Sequence, residues 1–469
     1  MWKKGCQCGG GNDMGKTVRV GAAQGFYGDS LDSAWEMARQ GAIDYLSFDA
    51  LSELTLAILA KDRTKNPDLG YTKDLVPAMR ILLPLAWQHG FKMLTNAGGI
   101  NPEAAQRAVL EVAKELGLKG IKVAVVTGDD LRSRIPELMQ QGALGGDWET
   151  GRPFSEMAQE LLFANVYLGA RPLVKALAMG AHVVISGRTT DSAQFMAPLL
   201  YEFGWGKTDW NRLAQGVLMG HLLECSAQST GGNFSGKWWE APDMDRIGYP
   251  VAWAEEDGTF VLTKIPGTGG MVTRDTIKEQ MLYEIHDPAA YITPDVVANF
   301  TTARLEEIKP DQVLVTGATG HNSPDSLKMV AGYPAGYMGQ AMVGYSWPDA
   351  LKKAEAAAAI IQKQIKRRNL HYDEVHIAYL GWNSLGGPTA PRPSEDVNEV
   401  YLRVTVRAKT QEEAGKLGRL FPPLALDGPP GLGGGSGMLP SRQLLGMWSG
   451  LIPRQWIEPR VSVQVQEVD

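Results

Sequence analysis

Lys92-Met-Leu-Thr-Asn96-Ala-Gly-Gly-Ile-Asn-Pro102-Glu-Ala-Ala-Gln-Arg-Ala-Val-Leu-Glu-Val-Ala-Lys-Glu-Leu116, followed by Lys122-Val-Ala-Val-Val126, decides the fold. A short apolar run ends in Asn96. Pro102, whose fixed φ suits the first turn of a helix, opens a segment with apolar positions at helical spacing, and a second apolar run follows. The unit is strand, helix, strand. Working outward, the same theme recurs: a strand over Val18–Ala23, a helix over Ser30–Gln40 capped near Asp29, and a strand over Tyr45–Phe48 with a helix from Leu51. Asp74–Gln88 is helical, with Pro77 and Pro84 arguing for a kink or a break, and Val183–Ser186 is a further strand. Strands rich in Val and Ile that alternate with helices predict an α/β fold, a parallel sheet with helices on both faces, in the N-terminal half.

Polar residues follow the carboxyl ends of these strands: Asp29, Asp49, Asn96, Thr127-Gly-Asp129 and Ser186-Gly-Arg188. Ligands of parallel sheets bind at that edge. Singly, each such residue is as well explained as a helix cap; in series they point to a site. Gly187-Arg-Thr-Thr-Asp191 adds a guanidinium able to hold a carboxylate or phosphate, with Asp191 a helix cap in the plainer reading.

Beyond residue 230 the pattern changes. Val251–Trp253 and Thr259–Thr263 flank Glu255-Glu-Asp-Gly258 as a hairpin, glycine turns occur at Pro266–Gly270 and Thr316–Gly320, and Asp349–Arg368 is a long helix. The order strand Val375–Leu380, strand Val400–Ala408, helix Gln411–Leu420, strand Val461–Glu467 then reads as a smaller α+β domain, with Leu385–Pro393 a loop near its boundary. The expected layout is a disordered leader over 1–16, an α/β catalytic domain over 17–370 with a middle glycine-rich hairpin segment, and an α+β domain over 371–469. Met14 is an alternative start within that leader.

Hydrophobic residues make up 44% and charged residues 21% of the 469 positions, and the net charge is −6. No basic tract is interleaved with aromatics, so no nucleic-acid partner is expected. No apolar run is long enough to span a membrane and no secretory signal is visible, so a cytoplasmic location without membrane contact is expected. Three cysteines, Cys6, Cys8 and Cys225, give no disulfide framework, and Cys6-x-Cys8 alone is a weak metal signal. None of the glycine turns, including Gly428–Gly437, carries a Walker pattern, and Gly21-Ala-Ala-Gln-Gly25 lacks dinucleotide-binding spacing. No cofactor is expected, although coenzyme A as part of the substrate is compatible.

The densest chemistry lies in His221-Leu-Leu-Glu-Cys225-Ser-Ala-Gln-Ser-Thr230-Gly-Gly-Asn-Phe234. Leu222 and Leu223 suggest a half-buried helix, on which His221 and Glu224 share a face and Cys225 lies near them. A metal site lacks further ligands at recognisable spacing, and a thiol nucleophile needs an imidazole oriented toward it. General acid–base work by His221 and Glu224 fits best, against the alternative of a core helix with satisfied polar groups.

Several segments together resemble the acyclic terpene utilisation (AtuA-like) family, formerly a domain of unknown function. They are Gly25–Asp29, Asp44–Asp49, Thr95–Pro102, Ala164–Gly169, Gly187–Asp191, His221–Phe234, Lys264–Gly270, Gln280–Pro288 and Gly428–Gly431. The resemblance implies a role in breaking down branched acids through acyl-CoA intermediates, with a small separate partner subunit. The expectation is a lyase or hydratase acting on a hydroxy acid or its thioester; the alternative is a non-catalytic binding or scaffold subunit. His221, Glu224 and Asp191 are the candidate catalytic residues. Arg188, Asp29, Asn96, Asp49, Thr230, Gly231 and Gly269 are the candidate contacts to a small-molecule substrate, no metal ligands are expected, and a homo-oligomer is.

Overall fold

The structure is a computed structural model that describes residues 15–435 and 439–469. Cys6, Cys8 and most of the expected leader lie outside the described residues; Lys16, at its end, pairs with Glu202. The chain forms two compact units, one up to Gly332 together with Trp448–Asp469, the other Tyr333–Met447.

The first unit is built on a ten-stranded sheet. Its centre is five parallel strands in the order Val18–Gln24, Tyr45–Phe48, Lys92–Thr95, Val183–Ser186, Lys122–Thr127. The predicted strands form, and they are covered on both faces: Val183, Val184 and Ile185 have no exposed surface at all. Burial of each such side chain contributes about 1.5–3 kcal/mol. The sheet is mixed rather than parallel throughout. The hairpin Pro250–Ala254 and Phe260–Lys264 extends it antiparallel on one side, continued by Gln312–Thr316 and Arg304–Lys309. On the other side Ser462–Glu467 pairs antiparallel with Lys122–Thr127. That last strand, which local pattern placed in the C-terminal α+β domain, thus completes the large sheet.

Chain order explains how the helices divide. The first three parallel strands advance in one direction, and their helices Asp32–Gln40, Leu75–His89 and Pro102–Glu115 pack side by side. The path from Lys122–Thr127 back to Val183–Ser186 reverses, so right-handed connection sends Arg171–Ala178 to the opposite face, followed by Ala193–Phe203 and Trp210–Glu224. The loops that leave Lys92–Thr95 and Val183–Ser186 therefore part to opposite faces, a switch point of the kind where α/β sheets bind ligands. Leu75–His89 runs unbroken through Pro84 rather than ending there.

Trp210–Glu224 is buried on all sides from Leu213 to Glu224, not half-buried. It approaches Ala193–Phe203 closely because Gly216 and Gly220 lack side chains: a Cβ at Gly220 would stand 2.6 Å from that of Ser192. A three-stranded sheet (Tyr291–Ile292, Val297–Asn299, Thr319–His321) covers its other side.

The second unit is a sheet of Glu374–Leu380, Glu399–Ala408, the latter part of Ser326–Ser346, and Leu432–Gly433. Helix Ala350–Arg367 packs on it through Leu351, Ala354, Ala358 and Ile361 against Val400, Leu402, Val404 and Val406. Helix and sheet share one apolar core. The expected boundary at residue 370 falls between this helix and the strands it packs on.

Candidate functional site

At the end of its helix His221 is 1% exposed. Its ring lies 5.4 Å from that of Tyr291 and 5.7 Å from that of Phe300. Nε2 is 2.8 Å from the Gln280 carbonyl oxygen and Nδ1 is 2.8 Å from Glu224 Oε1. A carbonyl only accepts, so Nε2 carries the proton. Burial among apolar rings holds the imidazole neutral, its pKa lowered to about 4. Nδ1 of a neutral ring is then an acceptor, which requires Glu224 to donate. Burial, with Asp191 and Glu284 nearby, raises the Glu224 pKa well above the usual carboxyl range, so the acid form that donates is also the favoured one. The pair shares a proton as Glu–OH···N rather than as an ion pair.

Around Glu224 stand the residues of the strand ends. Arg188 is buried; its Nη1 donates to the Leu51 carbonyl at 2.7 Å and pairs with Asp191 Oδ1 at 2.9 Å. Its guanidinium carbon lies 4.2 Å from the centre of the Tyr167 ring. Burial opposes the guanidinium charge, but Asp191, Tyr167, Glu53 and Asp49 outweigh it and keep Arg188 protonated. Asp49 is raised well above the usual carboxylate range, chiefly by burial and secondarily by Asp191. Asn96 donates to Asp49 through Nδ2 and accepts from the Ala50 amide at 2.7 Å through Oδ1, so it holds the Asp49 loop. Arg188 Nε, Glu224 Oε2, Thr190 Oγ1 and Gln194 Nε2 are buried with no hydrogen-bond partner among the described residues.

The structure brings His221, Glu224, Asp191, Arg188, Asp49 and Asn96 to one neighbourhood at the carboxyl edge of the parallel strands. It puts the other candidates to different use. Asp29 accepts from the amides of Gly25 and Ser30 and from Tyr249 Oη, which fixes the loop after the first strand. The Thr230 hydroxyl donates to the Gly248 carbonyl at 2.6 Å. Gly231 closes a short helical turn at φ 97°. Gly269 leaves no room for a side chain, since a Cβ would meet the Asp243 carbonyl oxygen at 2.0 Å. Cys225 is a free thiol whose pKa burial raises.

Sequence reasoning missed several partners. Gln280 accepts from His221, returns its own Nε2 to the His221 carbonyl at 2.9 Å, and accepts from Gln228. Asp129, whose carboxyl is pushed up to about 7 by burial, accepts from the Arg188 amide at 2.7 Å and from Asn165 at 2.8 Å. Its place after a strand sets it among the strand-end polar residues of the sequence, though not among the residues named there for the site. For Gln280, an amide on a distant helix, the only signal is that it opens one of the segments that carry the family resemblance; nothing local ties it to His221. Glu53, bonded by Tyr167 and paired with Lys328, completes the set; burial raises its pKa, but Arg188, Tyr167 and Lys328 together lower it to about 2. Among the described residues no group of three or more His, Cys, Asp or Glu is arranged to hold a metal ion, and no helix is long and apolar enough to cross a membrane.

Fold and site together define a mixed α/β protein with a buried carboxyl–imidazole–guanidinium cluster at the switch point of its parallel strands. The chain belongs to the acyclic terpene utilisation family: the family described as "Acyclic terpene utilisation family protein AtuA" matches residues 18–463. No curated protein and no solved structure matches it.

Proposed function

We propose that this protein is a lyase or hydro-lyase of acyclic terpene and branched-chain acid breakdown, acting on a hydroxy acid or its coenzyme A thioester without a redox cofactor. The observation that carries the reading is Glu224, a buried neutral acid with one oxygen on His221 Nδ1 and the other unpartnered, in electrostatic reach of the Arg188–Asp191 ion pair. An unmade buried hydrogen bond costs about 1–3 kcal/mol, a cost that a polar ligand at this edge would remove. Loss of water from a hydroxy acid needs an acid at the leaving hydroxyl and a base at the neighbouring C–H. Glu224 gives its carboxyl proton to the leaving hydroxyl and Asp191 takes the proton from carbon; as product leaves, that proton returns from Asp191 to Glu224, and both groups end as they began. Arg188 Nε is the donor left over for a substrate carboxylate or thioester oxygen. Asp49 and Asn96 shape the same edge. A cytoplasmic homo-oligomer working with a small separate subunit belongs to the same proposal.

One observation favours a second reading. Both His221 ring nitrogens are engaged and the ring is enclosed by aromatics, as in a protein that binds and whose partner reacts. Turnover of hydroxy-acid and 3-hydroxyacyl-CoA panels by the purified chain separates the two. The enzyme reading expects turnover that falls at least about a hundredfold in Glu224→Gln, the scale of a lost general acid. Turnover that Glu224→Gln leaves unchanged removes Glu224 from the mechanism; ligand binding without turnover favours the binding subunit.

A further inference from the structure

A cavity of about 570 Å³ lies in the first unit, lined in part by Leu168 and Gly169. That volume is in the range of small-molecule sites. The segment that bounds it also bounds the buried cluster: Tyr167 packs on Arg188, and Leu168 accepts from the Thr190 amide at 2.9 Å. Pro172, Leu327, Val461 and Val463 give the cavity an apolar side.

Its charged residues divide by use. Arg171 donates to the carbonyls of Trp205 and Gly206, at 3.0 and 2.8 Å, and Arg454 donates to that of Pro324 at 2.6 Å while pairing with Glu458, so both act as braces. Asp295 is tied to the Ala170 amide at 2.9 Å. Lys175 and Lys207 are exposed, line the cavity, and take no hydrogen bond or ion pair from the described residues; only Asp325 at the lining opposes them unbraced. Two free ammonium groups beside an apolar wall complement an anion with an apolar tail.

We propose that this cavity is a binding site for an organic anion, a carboxylate or phosphate monoester on an apolar chain, whose head pairs with Lys175 and Lys207 while the chain lies along Pro172, Leu327 and Val463. The site is separate from the acid–base cluster and stands whether or not that cluster is catalytic.

Isothermal titration calorimetry of the full chain with octyl phosphate, octanoate and octan-1-ol tests it. Octyl phosphate or octanoate is expected to bind one per chain, at least tenfold tighter than the alcohol, and the double variant Lys175→Gln/Lys207→Gln is expected to lose at least tenfold of that affinity with its melting temperature unchanged. Equal binding of the alcohol, or unchanged anion affinity in the double variant, overturns the proposal. If Arg188→Lys abolishes binding while the lysine double variant does not, the anion sits in the buried cluster; the inference then falls and the acid–base reading stands.

Discussion

Glu224 and His221 show how one buried pair divides structural and chemical duty. In Glu224→Gln the amide N–H replaces the acid O–H as donor to Nδ1, so stability in urea is expected to stay within about 1 kcal/mol of the parent. His221→Ala removes the acceptor and opens a hole between Tyr291 and Phe300, and a loss of about 3 kcal/mol is expected. Equal effects of the two substitutions would contradict the Glu–OH···N assignment. Asp129 gives a pH test. Its carboxyl titrates at about 7 in the fold, above the ordinary 3.8, so the native state holds the extra proton. Its contribution is therefore fully present below about pH 4 and lost as pH rises toward 7, by up to about 4 kcal/mol. Asp129→Asn, which keeps an acceptor for the Arg188 amide, should flatten that slope in denaturation measured from pH 4 to 8. An unchanged slope assigns the titration to another group. At this scale the site was half legible. Histidine and carboxyl at helical spacing announce a pair, but the proton between them depends on Gln280, far along the chain.

The element that places Arg188 is the loop after Val183–Ser186. Gly187 sits against Asp129, where a Cβ would come within 2.3 Å of the carboxylate. Gly187→Ala should cost about 2–3 kcal/mol, the scale of overpacking. Combining it with Asp129→Ala should cost less than the two single losses added, because the clash partner is gone; strict additivity in thermal melts would place the strain elsewhere. Short strands such as Lys92–Thr95 and Val183–Ser186 are readable because burial on both faces leaves Met93, Leu94 and Val183–Ile185 as adjacent apolar residues with no polar alternation. Trp210–Glu224 was under-read: a helix enclosed on all sides has no polar face for periodicity to report. In Leu75–His89 the prolines argue for a kink or a break because their penalties are local, whereas the packing of Leu82 and Leu83 beyond Pro77 is not.

Across the whole molecule, protection should follow the order of the large sheet. Hydrogen exchange read by mass spectrometry should find the amides of Met93–Thr95 and Val184–Ile185 among the slowest. Those of Arg304–Lys309, an edge strand whose Glu306, Glu307 and Lys309 are exposed, should exchange orders of magnitude sooner. Comparable rates would mean the ten strands do not form one cooperative sheet. The parallel centre was legible because its contacts are local repeats of strand and helix. The antiparallel flank beside Lys122–Thr127 was not, because nothing near residue 462 in the chain marks its partner. That pairing has a consequence for the nascent chain. The open side of Lys122–Thr127 must wait for its neighbour until residues 128–461 have been translated, roughly 20–70 s at cellular elongation rates. Through that interval the ribosome displays an apolar strand with an unpaired edge, the surface that holdase chaperones exist to shield.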